Sequence, residues 1–420
     1  MQKHSPINVS IDLKEQHVMT KVPFSPPEIT EEDILAVSDV LRSGWITTGA
    51  QAKQFERELS DWMSGARVAV LNSATAGMEI TLRLLGIGAG DEVITSVYTY
   101  AATVNVIRHV GATPILVDIA HDGYNLDITA VDRAITPKTK AIIAVDIGGY
   151  PCDYDALYRV IEAHRASFSG LPKSRLFNHA DRITLIADAA HSLGAQYYGR
   201  KSGSLADFSA FSFHAVKNLT TAEGGALSFH SLFGVDAETI YREVMLWSLH
   251  GQNKDALAKA QGNGWEYDIL FSGYKCNMPD IMAALGRSQL GRYAQTLSRR
   301  KTLYQSYRQM LPSPISLPAW DEADEYQSSY HLALVCLPIK DIQERNRIIT
   351  QMAEAGIVCN VHFKPLHLMT AFNDLGRDND FLQAMQRYQQ VMSLPLFNTM
   401  SEEQLSYVGE NLAQIVKNLR

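Results

Sequence analysis

Paired cysteines, long apolar runs and an excess of positive charge are all missing from this sequence. Its 420 residues hold four cysteines, Cys152, Cys276, Cys336 and Cys359, with no Cys-x-x-Cys pair and no zinc-binding spacing. A disulfide framework is not what organises the chain, and free, mostly buried thiols in a reducing, cytoplasmic compartment are expected. No apolar run approaches the roughly 18 residues of a membrane span; the longest, such as Leu332–Ile339, have the length of core strands. Met1–Lys21 is polar and of mixed charge, without a signal-peptide apolar stretch. Thirty-eight Lys and Arg against 45 Asp and Glu leave a net charge of −7, which is not the electrostatic footprint of a nucleic-acid binder.

What is present is a well-supplied core: 46% of residues are apolar and 20% charged. At about 150 residues per domain the length predicts two or three domains. Residues 1–23 read as a flexible leader ended by Pro23 and the Pro26-Pro27 pair. Thr30 is a candidate N-cap, with Glu31, Glu32 and Asp33 in the first turn behind it. From Arg67–Leu71 onward, strand and helix patterns alternate. The strands are continuous apolar runs such as Ala141-Ile142-Ile143-Ala144-Val145, the type a sheet covered on both faces requires. This predicts an α/β fold with a mostly parallel sheet in a large domain, residues 24–265. After that the rhythm changes. A long helix over Asp280–Leu311 and strands near 330–337 and 357–363 predict a smaller α+β domain, residues 266–420. The polar stretch Arg165–Arg182 reads as a surface insertion.

Three short segments carry chemistry. Asp188 follows the apolar strand Ile183–Ala187, and ligands of parallel sheets collect at the carboxyl ends of strands; the plain alternative is a helix N-cap. Lys217 lies just behind the aromatic strand Phe208–Phe213. A lone lysine is nearly always a solvated charge, but partial desolvation there makes an amine a Schiff-base nucleophile. Asn72-Ser73-Ala74-Thr75-Ala76-Gly77 joins a strand to a helix with small and hydroxylated residues, either an ordinary capped start or a phosphate site. Phosphate cradle, carboxylate and lysine together are what pyridoxal 5′-phosphate needs. The carboxylate keeps the pyridine nitrogen protonated and the lysine holds the aldehyde.

These segments, with Trp45-Ile46-Thr47-Thr48-Gly49, Gly90-Asp91-Glu92-Val93-Ile94-Thr95, Gly111-Ala112-Thr113-Pro114, Asp188-Ala189-Ala190-His191, Phe211–Asn218 and Ser393-Leu394-Pro395-Leu396-Phe397, occur in order from about Val22 to the C-terminus. In them the chain resembles the fold-type I, pyridoxal-phosphate-dependent sugar aminotransferases of the DegT/DnrJ/EryC1/StrS family. The resemblance implies a large domain with a mostly parallel seven-stranded sheet and a smaller C-terminal α+β domain. It implies Lys217 as the Schiff-base lysine and Asp188 as the pyridinium partner. Ala74, Thr75 and Ser212 match phosphate-binding positions, Tyr100 the aromatic stacked on the cofactor ring, and His191 a position near the cofactor's 3′-oxygen. Asn277 matches an asparagine that reaches the phosphate of the neighbouring subunit, which implies a homodimer with shared active sites. His362 and His367, in His362-Phe363-Lys364-Pro365-Leu366-His367, match a substrate-contacting loop, with plain loop histidines as the alternative.

Phe213-His214-Ala215-Val216-Lys217 looks most like the branch that aminates C4 of UDP-4-keto sugars. The expectation is transfer from L-glutamate to a UDP-4-keto-6-deoxy-HexNAc, with a UDP-4-keto-pentose as the nearest competitor and a non-catalytic cofactor-binding sensor further off. The sequence departs from the family pattern at Ala187, Asp146 and the length of Arg165–Arg182, which bears on substrate identity. A dinucleotide-binding dehydrogenase is the other α/β reading. Gly86-Ile87-Gly88-Ala89-Gly90 has the wrong spacing for it and follows a helix instead of a strand.

Overall fold

The computed structural model describes residues 22–254 except 172, then 266–320 and 325–418. The expected leader lies outside the described residues except for its last two, Val22 and Pro23, and so does residue 265, at the expected domain boundary.

Strands form in chain order at β1 (Arg67–Leu71), β2 (Glu92–Ser96), β3 (Thr113–Val117), β4 (Thr139–Val145), β5 (Thr184–Asp188), β6 (Gln196–Tyr197), β7 (Arg200–Lys201), β8 (Phe208–Ser212), β9 (Gly225–Phe229), β10 (Tyr326–Gln327), β11 (Ala333–Cys336) and β12 (Val391–Leu394). Seven of them make one sheet in the order β1-β9-β8-β5-β4-β2-β3. Neighbours from β3 across to β8 run parallel, and β9 alone runs against both of its neighbours. The continuous apolar strands are explained by what covers them. Val68, Val70, Ile142 and Ala144 enter one core, and Ala69, Leu71, Ala141 and Ile143 enter the core on the opposite face. Alternate side chains of a strand point to opposite faces, so a sheet clad on both sides has no polar positions to spare.

A third core surrounds the two-stranded β11–β12 sheet and the helices Tyr293–Met310, Ile342–Glu354 and Glu402–Asn418. Val22 enters it, almost fully buried, with its amide bonded to Gly356 O at 3.0 Å.

Three local expectations are corrected. The helix over Asp280–Leu311 is two helices, Asp280–Gly291 and Tyr293–Met310, broken at Arg292, whose guanidinium holds the buried Asp33 carboxylate at 2.5 Å. The stretch 357–363 forms isolated bridges, Val22 with Ile357 and Asn360 with Ser393, and β12 is the partner that completes the small sheet. Arg165–Arg182 is not merely a surface insertion. Leu171 and Phe177 are buried in the core beside the helix Ala74–Leu84, and the Ser174 hydroxyl donates to Leu84 O at 2.8 Å. Few apolar residues in a polar stretch suffice to pin it, which a window average hides.

Candidate active site

The carboxyl ends of β5 and β8, the turn after β1 and the loop after β2 meet around a cavity of about 430 Å³. Of the expected site residues, Ala74, Thr75, Tyr100, Asp188, His191, Ser212, Lys217 and His362 all line it.

Asp188 ends β5, in register with Ala210 of β8, and is 6% exposed. Its Oδ2 accepts from the Thr103 hydroxyl at 2.8 Å and its Oδ1 from the Ala190 amide at 3.3 Å. Burial pushes its pKa up, while Thr103, Ala190 and the Lys217 charge oppose that by favouring the carboxylate. Lys217 sits in the loop from β8 to β9, closed by Phe213 N–H to Gly224 O at 2.8 Å and Thr221 N–H to Phe213 O at 2.8 Å. The lysine lines the cavity. Burial lowers its pKa to about 8, with the Asp188 carboxylate pulling the other way. An amine so tuned is neutral in about one molecule in ten at pH 7, far more than an ordinary lysine, and nucleophilic attack on a carbonyl requires the neutral form.

The turn after β1 is set by backbone. Ser73 caps the helix Ala74–Leu84, its Oγ accepting from Ala76 N–H at 3.1 Å. The amides of Ala74 and Thr75, in the first turn, have no acceptor within the helix and carry its positive dipole end. Gly225 of β9 makes this turn possible. A Cβ there would stand 2.4 Å from the Ser73 carbonyl carbon and 2.5 Å from Ala74 N. Ser212 Oγ accepts only a long contact from His214 N–H, 3.4 Å, and keeps its own proton for another acceptor.

His191 and His362 carry fixed rings. Gly148 N–H donates to His191 Nδ1 at 3.2 Å, and His362 Nδ1 bonds Ser393 Oγ at 2.8 Å. Burial and the nearby Lys217 charge depress both imidazoles, His362 to about 4. Tyr100 stands on the rim, 67% exposed.

Two expected residues lie elsewhere. His367 does not line the cavity: it is buried beside Phe381, ring centroids 4.9 Å apart, with Nε2 bonded to Asp378 at 3.1 Å, and its surroundings make it a packing residue. Asn277 pairs with Leu71 at the end of β1 and donates to Thr48 Oγ1 at 2.5 Å, away from this chain's own cavity lining. Conversely, Thr103, which holds Asp188, and His331, which lines the cavity, went unread. Thr103 lies three residues beyond Tyr100, within reach of a sequence reading. His331 comes from a distant segment, and no local spacing marks it.

The residues fit pyridoxal 5′-phosphate. A buried carboxylate without a cation bonded to it, a desolvated lysine and a helix N-terminus with a free hydroxyl beside it are gathered at one cavity of suitable size. Comparison with known proteins agrees. The model of the DegT/DnrJ/EryC1/StrS aminotransferase family matches residues 27–413. The chain is 36% identical over 404 residues to the spore coat polysaccharide biosynthesis protein SpsC of Bacillus subtilis, covering 94% of this chain and 97% of that one. It is 34% identical over 410 residues to the UDP-4-amino-4-deoxy-L-arabinose--oxoglutarate aminotransferase of Shewanella sediminis, covering 94% and 98%. Spr1654 of Streptococcus pneumoniae, named as a sugar aminotransferase and solved in its PMP form, superposes with a TM-score of 0.91 at 45% identity, covering 95% of this chain and 100% of that one. The chain belongs to the DegT/DnrJ/EryC1/StrS aminotransferase family, and it is an aminotransferase whose cofactor is pyridoxal 5′-phosphate.

Proposed function

We propose that this enzyme moves an amino group from L-glutamate to C4 of a UDP-linked 4-keto sugar, a UDP-4-keto-6-deoxy-HexNAc, in the cytoplasmic synthesis of a surface polysaccharide or glycan. The observation that carries the reaction is the meeting of Lys217, its pKa drawn down to about 8, with the buried Asp188 in one cavity. The sugar side is supported by the Bacillus and Streptococcus relatives, one named for spore coat polysaccharide biosynthesis and the other as a sugar aminotransferase.

Bound there, the cofactor supplies an aldehyde that captures amines and a ring that takes up electrons from the substrate carbon. Lys217 Nζ would hold that aldehyde at rest and, once free, would take the proton from the amine-bearing carbon of L-glutamate and return a proton to C4 of the sugar. Asp188, held by Thr103 and the Ala190 amide, keeps the ring nitrogen protonated. Ala74, Thr75 and Ser212 would take the phosphate, Tyr100 would cover the ring and His191 would serve the 3′-oxygen. His362 faces the substrate. Asn277 serves the cavity of a second copy in a homodimer, consistent with its place outside its own.

The test is amine transfer from L-glutamate to UDP-4-keto-6-deoxy-HexNAc, with the nucleotide sugar followed by mass spectrometry. Conversion to the amino sugar is expected. Failure with that sugar and conversion of a UDP-4-keto-pentose instead selects the second reading, which the Shewanella relative favours. Failure of both, with no change in cofactor absorbance on adding glutamate, defeats the proposal.

A further inference from the structure

His331 stands on the cavity wall beside His191, ring centroids 4.4 Å apart. Its backbone is held from two sides. Its N–H donates to Gly148 O at 3.0 Å, and its carbonyl accepts from Arg300 Nη2 at 2.7 Å, the same guanidinium also bonding Tyr330 O at 2.9 Å. The ring is held as firmly. Asn218, next to Lys217, donates through Nδ2 to Ser329 O at 2.8 Å. A carbonyl can only accept, so the amide's orientation is fixed and its Oδ1 faces His331 Nδ1 at 2.9 Å. That oxygen also only accepts. His331 Nδ1 therefore carries the proton, and Nε2 keeps a lone pair that no hydrogen bond among the described residues occupies.

His191 is fixed the opposite way. Its Nδ1 accepts from Gly148 N–H, so in the neutral ring the proton is on Nε2. Gly148 thus ties the two residues together, through its N–H to the His191 ring and its C=O to the His331 backbone N–H. Its φ of +66° and the Trp320 ring, 2.3 Å from where a Cβ would stand, reserve the position for glycine. Burial and neighbouring positive charge hold both imidazoles well below their usual pKa, so this donor and acceptor arrangement persists at neutral pH.

We propose that His331 is a specificity-determining residue whose Nε2 accepts a hydrogen bond from a donor group, a hydroxyl or amide N–H, flanking the reacting carbonyl of the sugar. The proposal rests on the sugar aminotransferase reading above and adds the feature of the substrate that this wall selects. The carboxylates of L-glutamate are acceptors only and offer His331 nothing, whereas a sugar carries donors on the carbons beside its carbonyl. A buried acceptor left unpaired discriminates against a ligand without that donor.

The experiment uses the holoenzyme with UDP-4-keto-6-deoxy-HexNAc, or the keto-pentose if that is the sugar converted, and compares His331→Phe and His331→Gln with the unaltered protein. For His331→Phe, kcat/KM for the sugar should fall about 10-fold or more, mainly through KM. The rate of amine uptake from L-glutamate, read from cofactor absorbance, should change less than about 3-fold. His331→Gln, which retains an acceptor, should recover part of the loss. Asn218→Ala, which frees the tautomer without touching the ring, should raise the sugar KM by a smaller factor. Equal losses in the two half-reactions, or a shifted pH profile for glutamate, would show that His331 acts through Lys217 and overturn the proposal. So would an unchanged sugar KM in His331→Phe. If the unaltered protein converts neither sugar, the functional reading itself has failed and this inference falls with it.

Discussion

An amine with a pKa drawn to about 8 next to a buried carboxylate behaves differently from either group alone, and both halves of that statement can be measured. In the cofactor-free protein, capture of added pyridoxal 5′-phosphate by Lys217 needs the neutral amine. Its rate should rise with pH and level off above about 8, where an ordinary lysine would still be climbing toward 10.5. Asp188→Asn removes the charge that holds the proton on Lys217, so the midpoint should move to lower pH; a midpoint that stays or rises contradicts the coupling. Stability follows with a definite sign. Between about 8 and 10.5 the unfolded lysine holds its proton more tightly than the folded one. Stability of the cofactor-free chain therefore rises with pH across that window and carries the full cost of the buried charge below it. Lys217→Met should remove that slope and stabilise the cofactor-free chain at pH 7 by about 3 kcal/mol, measured by urea unfolding. At this scale the sequence was informative where chemistry is local. Lys217, Asp188, Ser212 and the Ser73–Thr75 turn sit in compact motifs at or just beyond the ends of strands. Thr103 and His331 act across the fold, on partners that only the packed sheet brings near, and His367 looked like its neighbour His362 until burial separated them.

The turn from β1 into the helix Ala74–Leu84 shows how an element rather than a side chain makes a site. The cap, the close approach of β9 and the free first-turn amides depend on one another. Ser73→Ala should cost about 1 kcal/mol of stability. Gly225→Ala should cost more, on the order of 1–3 kcal/mol, because its new Cβ meets the backbone atoms of Ser73, Ala74 and Phe211, none of which can swing away. The variant should also bind the cofactor at least about 10-fold more weakly, since the phosphate amides move with the turn. Thermal unfolding and cofactor titration read the two effects, and normal affinity in a destabilised Gly225→Ala would separate the glycine from the phosphate site. Continuous apolar runs made the mostly parallel sheet readable beforehand, and the count of seven strands came from the family resemblance. The break at Arg292 and the pairing of β11 with β12 were not readable. One is set by a buried ion pair with Asp33, the other by strands far apart in sequence.

For the whole molecule, the placement of Asn277 outside its own cavity lining makes sense if two copies share their sites. The proposed dimer can then be tested by complementation. Lys217→Ala and Asn277→Ala chains, unfolded and refolded together, should form hybrids with one intact cavity, and activity should exceed that of either variant alone. No gain on mixing, with dimers present in sedimentation, would place Asn277 in a role within its own chain. No helix among the described residues is long and apolar enough to cross a membrane, and all four cysteines are free. The central claim, that this fold gathers one lysine, one carboxylate and one helix end to hold pyridoxal 5′-phosphate, is tested most directly by borohydride reduction of the holoenzyme followed by peptide mass mapping. The account predicts the reduced cofactor on the peptide containing Lys217, and none on any peptide of Lys217→Ala. Cofactor fixed to another lysine, or a Lys217→Ala protein labelled as fully as the unaltered one, would contradict it.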